Sequence, residues 1–297
     1  MGATITALRN SVRTVASQPH IILVTALAFF AALLAGTTLS FIPIIGQLIG
    51  PPISAALMAG IIGMVGYSAF NNRQASIDDY SHSLKSRGTT VFGAVVLEQI
   101  AFVMLFLLSA VILFVVGIGG AVLESGASGP DQANAVFGAL GTGISLVFLL
   151  IFLGVAFLLF VFQFLNAAVV LGNQSIGGAY NTAFGIVKNN PISTLGYTLI
   201  RGTLVLSAAL FASFILVVTT EFASSGLILV GVIIALGVIA SSVTLIYTYH
   251  AQYYLQLPNV PIDIPTAATP PSTSPEETAK RDTEHSSTTH SASDTER

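Results

Sequence analysis

The chain has 297 residues, of which 54% are hydrophobic and only 8% charged, with a formal net charge of −3 and a mean hydropathy of +0.85. An ordinary soluble domain carries about 25% charged residues, so a water-facing surface is excluded and an integral membrane protein is expected. No concentrated basic face exists for nucleic acid, and the absence of Cys rules out disulfides, thiolate catalysis and Cys-ligated metals.

The N-terminal stretch predicts a helix lying in the membrane interface at about 4–18. Ile5, Leu8, Val12 and Val15 recur at spacings of three and four, and Arg9, Asn10 and Arg13 occupy the other side. Two arginines before an apolar run also fit a cleaved signal peptide. The run is long enough to span, however, and belongs to an internal repeat, so it is read as retained. Apolar runs of about 20 residues cross the hydrocarbon, and six are readable, at about 20–38, 48–70, 90–118, 144–170, 192–219 and 226–254.

Two further interfacial helices are expected, at about 75–87 and 177–189. The first has Ile77, Tyr80 and Leu84 at helical spacing, the second Tyr180, Ala183, Phe184 and Val187. Aligning Val15, Leu84 and Val187 places Pro19, Gly88 and Pro191 in register, each four residues on. A helix-breaking residue fits there, because the chain must turn from lying on the membrane to crossing it. The expected architecture is an all-α polytopic membrane protein, six transmembrane helices in three repeats of interfacial helix plus two-helix hairpin.

Charge sets the expected orientation. Arg9, Arg13, Arg73, Lys85, Arg87, Lys188, Lys280, Arg281 and Arg297 fall on one side of a six-span arrangement, and the other side's loops carry only Glu124, Asp131 and Glu221. Lys and Arg are retained inside, so both termini are expected to be cytoplasmic in the cell membrane. All eight tyrosines fall towards the same face, where a one-sided aromatic belt is expected. The outer loop at 38–52 is apolar enough to dip back into the bilayer, and Gly138, Gly141 and Gly143 are expected to bend the overlong fourth span. From Pro258 the composition turns to Pro, Thr, Ser and charge, and 258–297 is expected to be a disordered cytoplasmic tail.

Ionisable groups inside a membrane are costly and are therefore the first candidates for a site. Glu98 follows Gly88 by ten residues and Arg201 follows Pro191 by ten, so the two occupy equivalent positions with opposite charge. They are expected to form a buried ion pair; otherwise Arg201 snorkels towards the interface and Glu98 is protonated. Gln99, Gln163 and Asn166 lie near the same depth, as members of a polar cavity or as simple interhelical hydrogen bonders. His250, among four tyrosines, reads as a belt residue, and the chain contains no HExxH, GxSxG or Walker loop. Gly60, Gly63 and Gly66 at spacing three read as a close-packing stripe.

The elbow AFGIVKNNPISTLGYTLI, best matched over 176–199 with weaker echoes at 76–93 and 7–23, resembles a recurring signature of multi-spanning membrane proteins. That group includes the membrane domain of some glycerophosphoryl diester phosphodiesterases and many archaeal proteins, and the Thr/Ser/Glu/Asp-rich tail is similar to those of haloarchaeal membrane proteins. The chain has no phosphodiesterase domain, so the resemblance implies architecture only and transfers no functional residues.

The functional expectation is a non-catalytic membrane module that organises lipid or a partner protein, membrane or cytoplasmic, with no catalytic motif, metal or cofactor. Arg9, Arg13, Arg73, Lys85, Arg87 and Lys188 would contact anionic headgroups. The alternative is a small transporter with a polar site around Glu98 and Arg201.

Overall fold

The computed structural model describes residues 2–42, 45–125, 130–222 and 225–264. Among these residues the structure is helical: α1 (Gly2–Ser17), α2 (His20–Ser40), α3 (Ile45–Phe70), α4 (Ile77–Ser125), α5 (Pro130–Phe162), α6 (Leu165–Val170), α7 (Ile176–Asn189), α8 (Pro191–Phe222) and α9 (Ser225–Leu255). Six stretches are long and apolar enough to cross a membrane: His20–Ser40, Leu48–Phe70, Ile77–Val115, Val147–Val170, Pro191–Glu221 and Ile228–Leu255. Helix is the form such sequences must take, because hydrocarbon offers no partner to an open N–H or C=O. The chain is an all-α polytopic membrane protein.

The breaks between helices separate proline from glycine. Pro19 stands as the N-cap of α2 and Pro191 opens α8, so α1 and α7 are each cut off from the span that follows. At Gly88 no break occurs, and α4 runs unbroken from the expected interfacial segment into the span. Glycine keeps its N–H and weakens a helix by only about 1 kcal/mol, whereas proline removes the donor and clashes with the preceding turn. The same reason lets α5 continue through Gly138, Gly141 and Gly143; the chain departs from helix instead at Gln163–Phe164, before α6. In the 38–52 stretch helix resumes at Ile45 and carries Pro51 and Pro52 inside it.

The loops at the elbow end are built from short polar signals. Asn72, Asn173 and Asn259 follow α3, α6 and α9 with φ of 50°, 50° and 61°, a left-handed conformation that asparagine tolerates better than most residues. Ser76 and Asp79 then start α4 as a reciprocal cap. The Asp79 N–H donates to Ser76 Oγ at 3.2 Å, and Ser76 N–H and Oγ donate back to Asp79 Oδ2 at 3.2 and 2.9 Å. Arg73 donates to both carboxylate oxygens of the same Asp79, one at 2.8 Å, and this carboxylate holds the guanidinium above its ordinary range. Asp79→Ala should therefore cost about 1–2 kcal/mol through the lost cap and a stranded arginine, read as a lower unfolding midpoint in detergent.

Packing is densest at this end. α3 and α4 form the most extensive pair, α2 packs on α3, α8 on α9, and α4 on α5. The glycine stripe explains the first pair: a Cβ at Gly60 would meet the Tyr80 ring, one at Gly63 the Ser83 side chain, and one at Gly66 the Leu171 side chain. Ser83 Oγ uses the approach to donate to the Ala59 carbonyl at 3.0 Å. Short α6 is buried almost throughout among α3, α4, α7 and α9.

The polar segment after α9 begins inside the fold rather than outside it. The Asp263 N–H donates to Leu171 O at 2.9 Å, the Tyr254 hydroxyl to Pro261 O at 3.2 Å, and Asn173 Nδ2 to Asp263 Oδ2 at 2.6 Å. Ile264 is buried. Residues 258–264 thus depart from the expected tail: composition marked them as unable to bury apolar surface, yet Val260 and Ile264 do so. Residues 265–297 lie outside the described part.

Candidate functional site

A groove of about 890 Å³ lies between α2, α3, α8 and α9. Its walls are apolar or small: Ala32, Gly36, Gly46 and Gly50 on one side, Ala208, Ala209 and Ala212 on the other. One charged side chain lines it, Arg201 on α8, half-buried beside Tyr247 at the elbow end and close to Tyr197 and His250.

Behind Arg201 lies a buried aromatic cluster. Tyr197 and His250 share a 2.6 Å hydrogen bond between the phenol oxygen and Nδ1, both fully enclosed. Phe164 stacks on His250 (centroids 5.8 Å apart, planes 9° apart), and Tyr253 stacks on Tyr197 at 4.5 Å. The Tyr253 hydroxyl donates to Ser193 Oγ at 2.9 Å. The expected lipid-facing belt is therefore turned inward: Tyr67, Tyr197, Tyr249, Tyr253 and Tyr254 are buried, with α1 packed on α9, Phe164 stacked on Tyr253 and Pro261 bonded to Tyr254.

Glu98 and Arg201 are not brought together. Among the described residues the ion pair is Arg73 with Asp79. The helices explain the outcome: α4 turns its faces to α3, α5, α6 and α7, whereas α8 packs chiefly on α9. Glu98 lies instead near Tyr180 of α7, whose hydroxyl donates to Ala94 O at 2.8 Å, one turn before Glu98. Burial, with the Glu98 charge adding to it, pushes the Tyr180 phenol up to about 12.

The expected polar cavity is likewise absent from the groove, which includes none of Glu98, Gln99, Gln163 and Asn166. Gln163 is spent on helix joining: Nε2 donates to Thr198 Oγ1 at 2.9 Å and to Phe160 O at 2.9 Å. Asn166 Oδ1 is buried without a partner among the described residues, and Gln99 is half-buried on α4.

Of the basic residues expected at headgroups, Arg9, Arg13, Lys85 and Lys188 are exposed and Arg87 is half-exposed. Arg73 is engaged by Asp79 and is not available in the same way. α1 has a geometry that its sequence pattern did not reveal. The small stripe Thr4, Ala7 and Ser11 is buried, in a helix that packs on α9 and α8. Ile5 and Val12 remain 63% and 50% exposed, and Arg9 and Arg13 lie on the next sector round. The fourth sector, Asn10, Thr14 and Ser17, lines a polar hollow of about 500 Å³ with Asn72, Arg73 and Gln252. α7 repeats the theme, burying Ala179, Ala183 and Ile186 while Phe184 and Lys188 stay exposed.

A family model described as Domain of unknown function (DUF7847) matches residues 3–257. No curated protein and no solved structure matches the chain.

Proposed function

We propose that this chain, which belongs to the DUF7847 family, is a non-catalytic membrane module that organises anionic lipid around its elbow end. The observation that carries the reading is the four-sector surface of α1: small residues to the protein, Ile5 and Val12 exposed, Arg9 and Arg13 exposed beside them, and a polar hollow on the last side. A helix whose exposed apolar and basic strips are adjacent sits at a boundary between hydrocarbon and charged headgroups. Lys85 on α4 and Lys188 on α7 are exposed as well. By the retention of Lys and Arg on the inner side, this end faces the cytoplasm of the cell membrane.

The elbow's likeness to the membrane domain of glycerophosphoryl diester phosphodiesterases supports architecture alone, and an archaeal source rests on the composition of the tail. A transporter would need one polar site holding Glu98 and Arg201 together; the groove around Arg201 has no second charge to couple to.

The test is recruitment of fluorescent phosphatidylglycerol to the purified protein in nanodiscs. Each surface arginine is worth about 1 kcal/mol near an anionic surface, so Arg9→Gln with Arg13→Gln should weaken enrichment by roughly 20- to 30-fold at low salt. Equal enrichment of phosphatidylcholine, or no effect of the double substitution, would sink the reading.

A further inference from the structure

We propose that the groove between α2, α3, α8 and α9 holds a single anionic lipid drawn from the bilayer, with its chain along the small-residue walls and its headgroup on Arg201. This site deepens the lipid-organising reading given above but is separate from the α1 surface.

Charge is the first argument. Arg201 is the one ionised group lining the groove. The helices around it bring no carboxylate to answer it: α2, α3 and α9 contain no Asp or Glu, and α8 has only Glu221. Glu221 is twenty residues further on, about 30 Å along the helix. No ion pair involving Arg201 forms among the described residues. A guanidinium at membrane depth needs a counter-charge, and among the described residues no carboxylate supplies one. Tyr247 lines the groove next to Arg201 and its hydroxyl donates to nothing else among the described residues, so a second donor is available to the same headgroup.

Depth is the second. α8 has 32 residues, about 48 Å against a hydrocarbon core of about 30 Å, which leaves about 9 Å beyond each boundary if the helix is centred. Arg201 is ten residues from the start, hence about 6 Å below the boundary, a distance that its stem covers by snorkelling. Its head thereby meets a lipid phosphate at the level where the bilayer places one.

Shape is the third. The groove runs along α8 from Arg201 to Leu216, about 22 Å, longer than the about 15 Å of hydrocarbon in one leaflet. Its volume of about 890 Å³ falls in the range of ligand pockets, about 300–1,000 Å³. The walls hold it open: a Cβ at Gly36 would meet nothing within 4 Å. Leucine at position 36 therefore projects into the groove without disturbing the backbone, and separates loss of the space from loss of the fold.

The experiment uses the full chain in mild detergent, stripped of lipid and re-supplied with dioleoyl phosphatidylglycerol, dioleoyl phosphatidylcholine or glycerol 1-phosphate. Bound molecules are counted by native mass spectrometry, and the unfolding midpoint is followed with and without each addition. The wild type should retain one phosphatidylglycerol more tightly than any other, and gain thermal stability from it. Arg201→Gln should weaken that single event at least about tenfold, the loss of a charge-assisted hydrogen bond. Gly36→Leu should abolish it with the lipid-free midpoint unchanged. Arg9→Gln with Arg13→Gln should leave it intact while surface enrichment falls, which distinguishes failure of this site from failure of the broader reading. Unaltered retention in both Arg201→Gln and Gly36→Leu would overturn the proposal. So would equal binding of phosphatidylcholine, equal binding of glycerol 1-phosphate, or a dimer that Gly36→Leu dissociates.

Discussion

Gly63→Leu should strongly destabilise the bundle. Gly63 lies where α3 and α4 approach most closely, and any Cβ there runs into the Ser83 side chain. Ser83 cannot rotate away at no cost, because it is fully buried and donates to Ala59 O across the same contact. A leucine must therefore push the helices apart. That loosens Tyr80 over Gly60 and Leu171 over Gly66 in the same movement. Overpacking of this kind costs about 1–3 kcal/mol, and here it reaches the upper end or beyond, because three contacts move together. The expected readout is loss of the monodisperse peak in detergent size-exclusion chromatography, or a midpoint several degrees lower if the protein is recovered. Gly185→Leu is the control: its Cβ would meet nothing within 4 Å, so it should behave as wild type.

The second large effect is expected at the Tyr197–His250 bond. Both groups are enclosed, and each is the other's hydrogen-bonding partner at 2.6 Å. Tyr197→Phe strands the ring nitrogen of His250 and should cost about 1–3 kcal/mol, the penalty for an unsatisfied buried group. His250→Phe keeps the ring volume against Phe164 and removes one partner of the Tyr197 hydroxyl, which keeps Arg201 beside it, so the loss should be the smaller of the two. Combining the two substitutions leaves neither group stranded. The double variant should therefore lose less than the sum of the singles, by at least about 1 kcal/mol in a double-mutant cycle. Strict additivity would mean that the bond contributes nothing beyond packing.

Much of the fold was legible because it is set by composition and by local stereochemistry. The six spans follow from the length of their apolar runs, and the elbows at Pro19 and Pro191 follow from a missing donor. Gly88 misled for a physical reason: glycine permits a break and proline compels one, and alignment of a register does not tell them apart. The site was harder. Counting residues from Pro191 sets an expected depth for Arg201, whereas Gly88 is no elbow from which to count Glu98, and neither count says which way a side chain points. Direction depends on which neighbours α4 and α8 acquire, and those neighbours are different. His250 and its tyrosines carried a correct address and a wrong exposure, since only tertiary packing puts Phe164 over them. The groove left the faintest trace, because it is made by what Gly36, Gly50 and Ala208 lack. Missing volume has no motif. Its one sequence signal was Arg201, an arginine in an apolar run.

The pairing of α1 with α9 has a consequence for the order of events in biosynthesis. α1 ends at Ser17 and α9 begins at Ser225, so α1 waits for a helix about 200 residues further along the chain before its packing is complete. At about 5–20 residues per second the wait is roughly 10–40 s. On the proposed placement of α1 at the bilayer surface, the exposed Ile5 and Val12 are what would hold it there over that time. On that placement a variant that lost the strip is expected to show its defect in assembly, as an unclosed bundle, even where the finished protein could have tolerated the change.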